Sequence, residues 1–292
     1  MEIPTSTLFD FAFSPVLAAG GINAPEIPHL GWFTNSILVA IIVTVGVLLF
    51  TRMATKKMEL IPGGKQNFVE FLIEFLYGQV EGIVGKHVAP KAFPLLATIF
   101  IFILSANWFG LLPGVGTVGW GEGNGGFLSL DSVHAPLLRP ATADLNMTLA
   151  LAVVFMVVWV YLSVSELGVW GSLVHIFGPK GGLQGMMKYA LMPIFFFVGI
   201  IEVISIFFRP ASLALRLLGN IFAGETLLVV MGGLGEQVLG AKGILGFLTS
   251  VALPIPFYFM EILVGALQAT VFTLLCGVYI KLSTSHEEEG EH

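Results

Sequence analysis

Apolar residues are concentrated in five long runs, which are separated by shorter stretches rich in polar residues and glycine. A helix needs about 20 apolar residues to cross a bilayer, and three runs have this length: 32–50, 92–112 and 145–164. The last two runs, 193–231 and 250–280, are longer than an upright crossing requires. The pattern therefore predicts an all-α integral membrane protein with five membrane-crossing helices.

The fourth and fifth runs differ from the others in their length. As one straight helix the fourth measures roughly 58 Å, whereas the hydrocarbon core is about 30 Å thick. Either this run folds back at Arg209-Pro210 into two short spans, or it forms one strongly tilted helix, because proline can kink a membrane helix without ending it. Only the loop 232–249 separates it from the fifth run. On the second interpretation, residues 193–280 form a tilted antiparallel hairpin.

A shorter segment, 65–86, lies between the first two runs and has a different pattern. Its apolar residues fall mostly on one side of a helix, with Glu70, Glu74 and Glu81 interspersed. This pattern is typical of an amphipathic helix in the membrane interface. A short helix on a soluble surface gives the same pattern, so both interpretations stay open.

The basic residues predict how the chain is oriented in the membrane. The loop between the first two runs carries six of them: Arg52, Lys56, Lys57, Lys65, Lys86 and Lys91. The glycine-rich loop 113–143 has only Arg139. Because basic loops stay on the cytoplasmic side, we expect the amphipathic helix to be cytoplasmic and the N-terminal segment 1–31 to be external. The acidic tail 281–292 is then cytoplasmic.

The composition agrees with a membrane location. The chain is 56% hydrophobic and 11% charged, with a mean hydropathy of +0.91, whereas a soluble domain has about 25% charged residues. No linker or internal repeat interrupts the sequence, so we expect a single membrane domain over residues 1–292. The net charge of −6 argues against nucleic acid as a partner.

No sequence motif indicates catalysis. There is no phosphate-binding loop, zinc-ligand pattern, nucleophile elbow or dinucleotide fingerprint in the sequence. The only cysteine, Cys276, excludes an internal disulfide and a cysteine-based metal site. We therefore expect no cofactor, no metal and no bond-making by this chain alone.

Four charged residues interrupt the fourth run within the stretch EVISIFFRPASLALRLLGNIFAGE. A charged side chain near the bilayer centre costs from about 2.5 to more than 10 kcal/mol, so we expect these residues to serve a function. Glu202, Arg209 and Arg216 are spaced by seven and therefore share one helical face. Ser212 and Asn220 lie four residues either side of Arg216 and extend this polar stripe.

Further polar residues lie outside this stripe. Glu225 projects from the opposite face of the same helix, and the fifth run contributes Glu261 and Gln268, again seven apart. In an antiparallel pair, residues at one depth keep a constant sum of residue numbers. By this rule one register places Glu261 level with Glu225. The same register brings Gln268 level with Arg216, to within one residue step on each helix.

Several of these residues also have a purely structural interpretation. Arg209 fits an arginine that reaches the interface, with Glu202 as its ion-pair partner. Asn220 and Gln268 fit hydrogen bonds between helices. Asp144 fits a cap of the third span. The second and third runs add two further polar candidates, Asn107 and Asn146.

Arg216 is harder to explain by structure alone. Leucines surround it in LALRLL, and the nearest acid in the sequence is at best two turns away. A structural arginine has a carboxylate within reach. We therefore expect the counter-charge of Arg216 to come from another chain.

The stretch RPASLALRLLGNIFAGETLL closely resembles the signature of subunit a of the F-type rotary ATP synthase. Three more stretches are similar to that family: NWFGLLP at 107–113, PATADLNMTLALA at 140–152 and ALQATVFTLLCGVYI at 266–280. The resemblance covers most of the chain after residue 95. It implies a non-catalytic stator subunit of a bacterial plasma membrane. Its implied partners are the c-ring rotor, the peripheral-stalk b subunits and the lipid bilayer.

The resemblance also implies roles for the polar residues. Arg216 matches the family's essential arginine, whose counter-charge is the carboxylate on each rotor subunit. Arg209 matches a position where relatives carry a basic residue. The other implied ion-path residues are Asn220 and Gln268 beside the essential arginine, Glu225 and Glu261 in an external half-channel, and Glu202 toward the cytoplasmic exit.

The chain departs from the family pattern at two places. Many relatives pair an acid with a histidine where this chain has Glu225 and Glu261, and two carboxylates at one depth favour a shared proton. Some relatives carry an acid at the position of Gly110.

Two alternative functions stay open. The first is the same stator subunit coupled to sodium instead of protons. The second is a self-contained ion-coupled transporter, against which the lack of internal repeats weighs. An intramembrane hydrolase would need a catalytic constellation, and the spans contain no histidine for one.

Overall fold

A computed structural model of the chain describes residues 33–56, 58–59, 61, 63–112, 119–120, 135–136, 138–177, 186–237 and 244–284. Its helices are α1 (Asn35–Thr55), α2 (Gly64–Val84), α3 (Ala89–Gly110), α4 (Leu145–Phe177), α5 (Met186–Gln237), α6 (Ile244–Ala252) and α7 (Ile255–Thr284). Two strands of two residues each, β1 (Gly119–Trp120) and β2 (Ala135–Pro136), pair antiparallel. A 3-10 turn covers Ala141–Ala143. The predicted external segment 1–31 and the tail beyond residue 284 lie outside the described residues.

Five stretches in the described part of the chain are long and apolar enough to cross a membrane. They are Asn35–Thr55, Ala89–Gly110, Leu145–Ser172, Met192–Leu234 and Leu248–Thr284. Each coincides with one apolar run of the sequence. The prediction of an all-α membrane protein with five crossing helices is therefore confirmed.

The fourth run forms one continuous helix, α5, of 52 residues. Pro193 and Pro210 lie inside this helix, so the chain does not fold back at Arg209-Pro210. A proline removes one backbone hydrogen bond but allows a membrane helix to continue. The fifth run is divided differently from the prediction, because a turn at Leu253 and Pro254 separates α6 from α7.

The amphipathic helix predicted over 65–86 is α2. It ends at Gly85, whose φ of 87° lies in the left-handed region that glycine adopts most readily. One side of α2 is buried, through Val69, Leu76, Val80 and Val84. A second apolar side is exposed and carries Phe68, Phe71 and Phe75. This exposed aromatic side fits contact with the membrane interface.

The described residues form two compact units. The first unit lies within Met1–Met53, Ile101–Thr148 and Leu215–Thr270, and the second within Ala54–Phe100, Leu149–Ala214 and Val271–His292. The first has a buried cluster of small and branched side chains, Val39, Ala40, Val43, Ala106 and Ala141. In the second, the Lys91 ammonium pairs with Glu166, and the Trp159 indole N–H donates to the Tyr279 carbonyl at 2.9 Å.

Candidate functional site

Arg216 lies on the exposed side of α5, at the start of the stretch that belongs to the first unit. Other sides of the helix carry buried residues, Leu213, Ala214, Leu217 and Ile221, which pack α5 into the protein. Within the described residues the Arg216 guanidinium makes no hydrogen bond and no ion pair. Because a guanidinium stays charged under all ordinary conditions, its position in a membrane span requires a counter-charge from elsewhere.

Asn220 follows one helical turn after Arg216 and joins α5 to α7. Its side-chain amide donates a hydrogen bond to Gln268 Oε1 at 2.6 Å. Gln268 is buried, and its own Nε2 has no hydrogen-bond partner among the described residues. A buried amide without a partner is costly and is normally satisfied by water or by a ligand group. The interhelical bond expected from the sequence is present, and it leaves one donor available.

Glu261 packs directly against the backbone of α5. Its carboxylate lies over Gly224, at a place where any larger residue at position 224 would overlap with it. The side chain is buried and makes no hydrogen bond or ion pair to any described residue. Gly224 thus provides the space in which a buried carboxylate is held beside α5.

The contacts of Asn220 with Gln268 and of Gly224 with Glu261 establish that α5 and α7 run antiparallel. Glu261 lies level with Gly224, the residue before Glu225, which is close to the register inferred from the sequence. Gln268 pairs one turn beyond Arg216 rather than beside it. The two acids and the amide pair therefore lie along one interface inside the first unit.

Glu225 is paired with Arg139, which lies just before the 3-10 turn. Arg139 Nη2 donates to Glu225 Oε2 at 2.9 Å, and Arg139 Nε lies 3.2 and 3.3 Å from the two carboxylate oxygens. The Arg139 side chain is only 2% exposed, whereas that of Glu225 is 30% exposed. The structure pairs Glu225 with this arginine and not with Glu261.

The segment around Arg139 is fixed to α3 and α4. Pro140 packs onto Gly110, where a Cβ would overlap with the proline ring. Thr142 Oγ1 donates to Asn107 Oδ1 at 2.8 Å, and Asn107 in turn donates to the Gly265 carbonyl at 3.2 Å. This contact explains why position 110 is a glycine in this chain, since an acid there would displace Pro140.

Asp144 and Asn146 lie at the start of α4. Asp144 Oδ1 accepts a hydrogen bond from the Asn146 backbone N–H at 3.1 Å, and the Asp144 carbonyl accepts the first helical bond, from Thr148. Asp144 thus has the capping geometry expected from the sequence. The Asn146 side chain is exposed.

Sequence reasoning did not predict the ion pair between Arg139 and Glu225. In the sequence, Arg139 contributed only to the count of basic residues in the loops. Its pairing with Glu225 could not be inferred, because the two residues are 86 positions apart and no helical periodicity links them. One signal was available: Arg139 is the only lysine or arginine in the 113–143 loop, and it adjoins a stretch that resembles the family.

A separate polar cluster lies in the second unit. The Arg209 guanidinium is stacked over the rings of Tyr279 and Trp159, at 4.8 and 5.7 Å from their centroids. Arg209 and Glu202 line a cavity of about 40 Å³ together with Ser163 and Ser283, which is large enough to hold water. Ser212 is exposed on α5, one turn before Arg216.

The five apolar spans, with ionisable groups held between and beside α5 and α7, define a multi-pass membrane protein with polar groups inside its spans. The sequence profile of the family described as ATP synthase A chain matches residues 35–281. ATP synthase subunit a of Moorella thermoacetica is 32% identical over 265 residues, covering 89% of this chain and 95% of that one. The Pseudomonas fluorescens subunit a is 33% identical over 276 residues, covering 92% and 86%. The chain therefore belongs to the ATP synthase subunit a family, as its sequence signature predicts.

Proposed function

We propose that this chain is the ion-translocating stator subunit of an F-type rotary ATP synthase. In this role it provides two aqueous half-channels, through which protons reach and leave the carboxylates of the c-ring rotor. The observation that carries the proposal is Arg216, an exposed cation in a membrane span with no counter-charge among the described residues. A carboxylate on a passing rotor subunit is the counter-charge that this arginine lacks.

Arg216 lets a rotor carboxylate ionise at one point of its circuit. The carboxylate faces lipid only in its neutral form, because burying an ionised carboxylate in lipid is costly. Beside the guanidinium the ionised form is favoured, so the proton leaves toward one compartment. Once the rotor has moved on, the carboxylate receives a proton from the other compartment. The fixed cation also repels protons and so blocks a direct leak.

The polar groups of the first unit support an external half-channel. Glu225 and Glu261 provide the acidic groups, and Gln268 has an amide donor that a water molecule can satisfy. The hydrogen bond between Asn220 and Gln268 holds both amides one turn from Arg216. The buried Asn107 contributes a further hydrogen-bonding group on α3.

The water-sized cavity of the second unit supports a cytoplasmic half-channel. Glu202 supplies an acid there, and Arg209 is held by its contacts with the two aromatic rings. Ser212 extends the polar stripe toward Arg216. On this proposal the N-terminus is external and the C-terminus is cytoplasmic in a bacterial plasma membrane.

The chain makes no covalent bond itself on this proposal. ATP is made by other subunits, and the partners of this chain in the membrane are the c-ring, the peripheral-stalk b subunits and lipid. Its contribution is to couple proton flow to rotation.

Mild purification tests this assignment. We expect the tagged chain to bring with it a ring of small hairpin subunits, and we expect the isolated chain in vesicles to transport no ions by itself. A matched preparation in which the tag is on a c subunit should contain this chain. Recovery of the chain without a ring, together with sustained ion-coupled transport by the chain alone, would instead establish a self-contained transporter.

A further inference from the structure

Gly224 lies on the side of α5 that faces α7, directly under the side chain of Glu261. A Cβ at position 224 would overlap with the carboxyl carbon and with both carboxylate oxygens of Glu261. Alanine is a better helix former than glycine in a helix interior, so helix formation does not account for a glycine here. The Glu261 carboxylate occupies the space that a side chain at position 224 would need.

Hydrogen bonds from α3 hold α7 in place close to Glu261. The Trp108 indole Nε1 donates to the Ile262 carbonyl at 3.2 Å. The Asn107 side-chain amide donates to the Gly265 carbonyl, also at 3.2 Å. Both acceptors lie within about one helical turn of Glu261. This part of α7 is therefore fixed against α3 and cannot easily move away from α5.

The hydrogen bond between Asn220 and Gln268 fixes α5 to α7 on the other side. Asn220 lies one turn before Gly224 along α5, and its bond to Gln268 has a length of 2.6 Å. A group added to a packed interface displaces whatever gives way most easily. Because the two helices are held together, that part is the end of the flexible Glu261 side chain. A larger residue at position 224 would thus move the carboxylate while the helices stay in place.

We propose that Gly224 is a positioning residue, because the absence of a side chain there fixes where the Glu261 carboxylate exchanges protons in the external half-channel. The inference rests on the proposed function and adds a residue that has no group able to bind a proton. Displacing a reacting group by about 1 Å can cost on the order of a hundredfold in rate. The size of residue 224 therefore controls how well Glu261 transfers protons.

Gly224→Ala in the complete ATP synthase tests this role. ATP-driven proton pumping is measured in inverted vesicles at equal amounts of assembled complex. We expect the rate to fall roughly tenfold or more, because the added methyl group displaces the carboxylate. The matched control is Gly232→Ala on the same helix, where a Cβ would meet only Pro254, at 4.0 Å. The control should pump close to the wild-type rate, and a Gly224→Ala variant as fast as the control would overturn the proposal.

A shorter acid distinguishes displacement of the carboxylate from a general change in helix packing. Glu261→Asp withdraws the carboxylate by about 1.5 Å, the length of one C–C bond, which leaves room for a methyl group at position 224. In the Glu261→Asp background, Gly224→Ala should therefore change the pumping rate less than about twofold. A fall as large as in the wild-type background would contradict the proposal, since the methyl group would then act on the helices and not on the carboxylate.

An experimental structure of the Gly224→Ala complex gives a second measurement that does not depend on the pumping rate. We expect the Glu261 carboxylate to be displaced by about 1 Å or more, with the hydrogen bond between Asn220 and Gln268 retained. A carboxylate in its original place between helices that have moved apart would overturn the proposal. If Gly224→Ala does not assemble, adding Glu261→Asp should restore assembly, and a failure to do so would count against the proposal equally.

Glu261→Gln separates the failure of this inference from the failure of the proposed function. Normal pumping by Glu261→Gln would contradict the external half-channel itself. Normal pumping by Gly224→Ala, together with slow pumping by Glu261→Gln, would contradict only the positioning role of Gly224.

Discussion

Arg216→Ala is expected to abolish ATP-driven proton pumping in inverted vesicles while the ATP synthase remains assembled. On the proposed function, a rotor carboxylate would then have to ionise in the membrane with no counter-charge, at a cost of about 2.5 kcal/mol or more. A barrier raised by that amount slows the step roughly 70-fold or more. Because Arg216 makes no hydrogen bond or ion pair within the described residues, its removal should not disturb the packing of α5.

The matched control is Arg52→Ala, which removes an exposed arginine from the last turn of α1. Pumping by this variant should stay close to the wild-type rate, and both variants should contain equal amounts of complex. If Arg216→Ala pumped as fast as Arg52→Ala, the guanidinium would have no part in proton transfer.

Glu261→Gln is expected to have the second-largest effect. Glutamine keeps the size of the side chain and still fits over Gly224, but it cannot exchange a proton. Proton transfer by a positioned acid or base typically contributes roughly a hundredfold or more to the rate, so pumping should fall by about that factor. The measurement is again the initial rate of ATP-driven acidification in inverted vesicles.

Glu74→Gln is the control for this substitution, because Glu74 is an exposed acid on α2. It should leave the pumping rate unchanged. Normal pumping by Glu261→Gln would show that protons take a route that avoids this carboxylate.

The number and position of the membrane-crossing helices could be predicted because length and apolarity decide them. A bilayer admits few alternatives to a helix of about 20 apolar residues, and all five runs formed such helices. The sequence left open whether the chain folds back at Pro210. That question depends on how neighbouring helices pack around the proline, which a hydropathy pattern does not contain.

The interface between α5 and α7 was also predictable in part. The seven-residue spacing of Glu261 and Gln268 placed both on one face, and a constant sum of residue numbers gave a register close to the observed one. A register inferred in this way does not specify contacts to within one helical turn. It placed Gln268 level with Arg216, whereas Gln268 accepts a hydrogen bond from Asn220, one turn further along α5. The contacts between α5 and α7 also depend on the reach of the Gln268 and Glu261 side chains and on the absence of a side chain at Gly224.

The ion pair between Arg139 and Glu225 could not be predicted from the sequence. Arg139 lies in an irregular segment, where neither the helical nor the strand period constrains the direction of a side chain. Its position depends on Pro140 packing against Gly110 and on the hydrogen bond from Thr142 to Asn107. These contacts join residues far apart in the sequence, and none has a periodic signature.

The central claim, that Arg216 faces a rotor carboxylate, is tested most directly by disulfide cross-linking. In a Cys276→Ala background, Ser212→Cys introduces a thiol on the exposed side of α5, one turn before Arg216, and single cysteines are placed along the carboxylate-bearing helix of the c subunit. Val153→Cys, on an exposed side of α4, is the control. We expect Ser212→Cys, and not Val153→Cys, to form a disulfide with a rotor cysteine about one turn from the carboxylate. If Ser212→Cys formed no cross-link at any rotor position in the assembled complex, the claim would be contradicted.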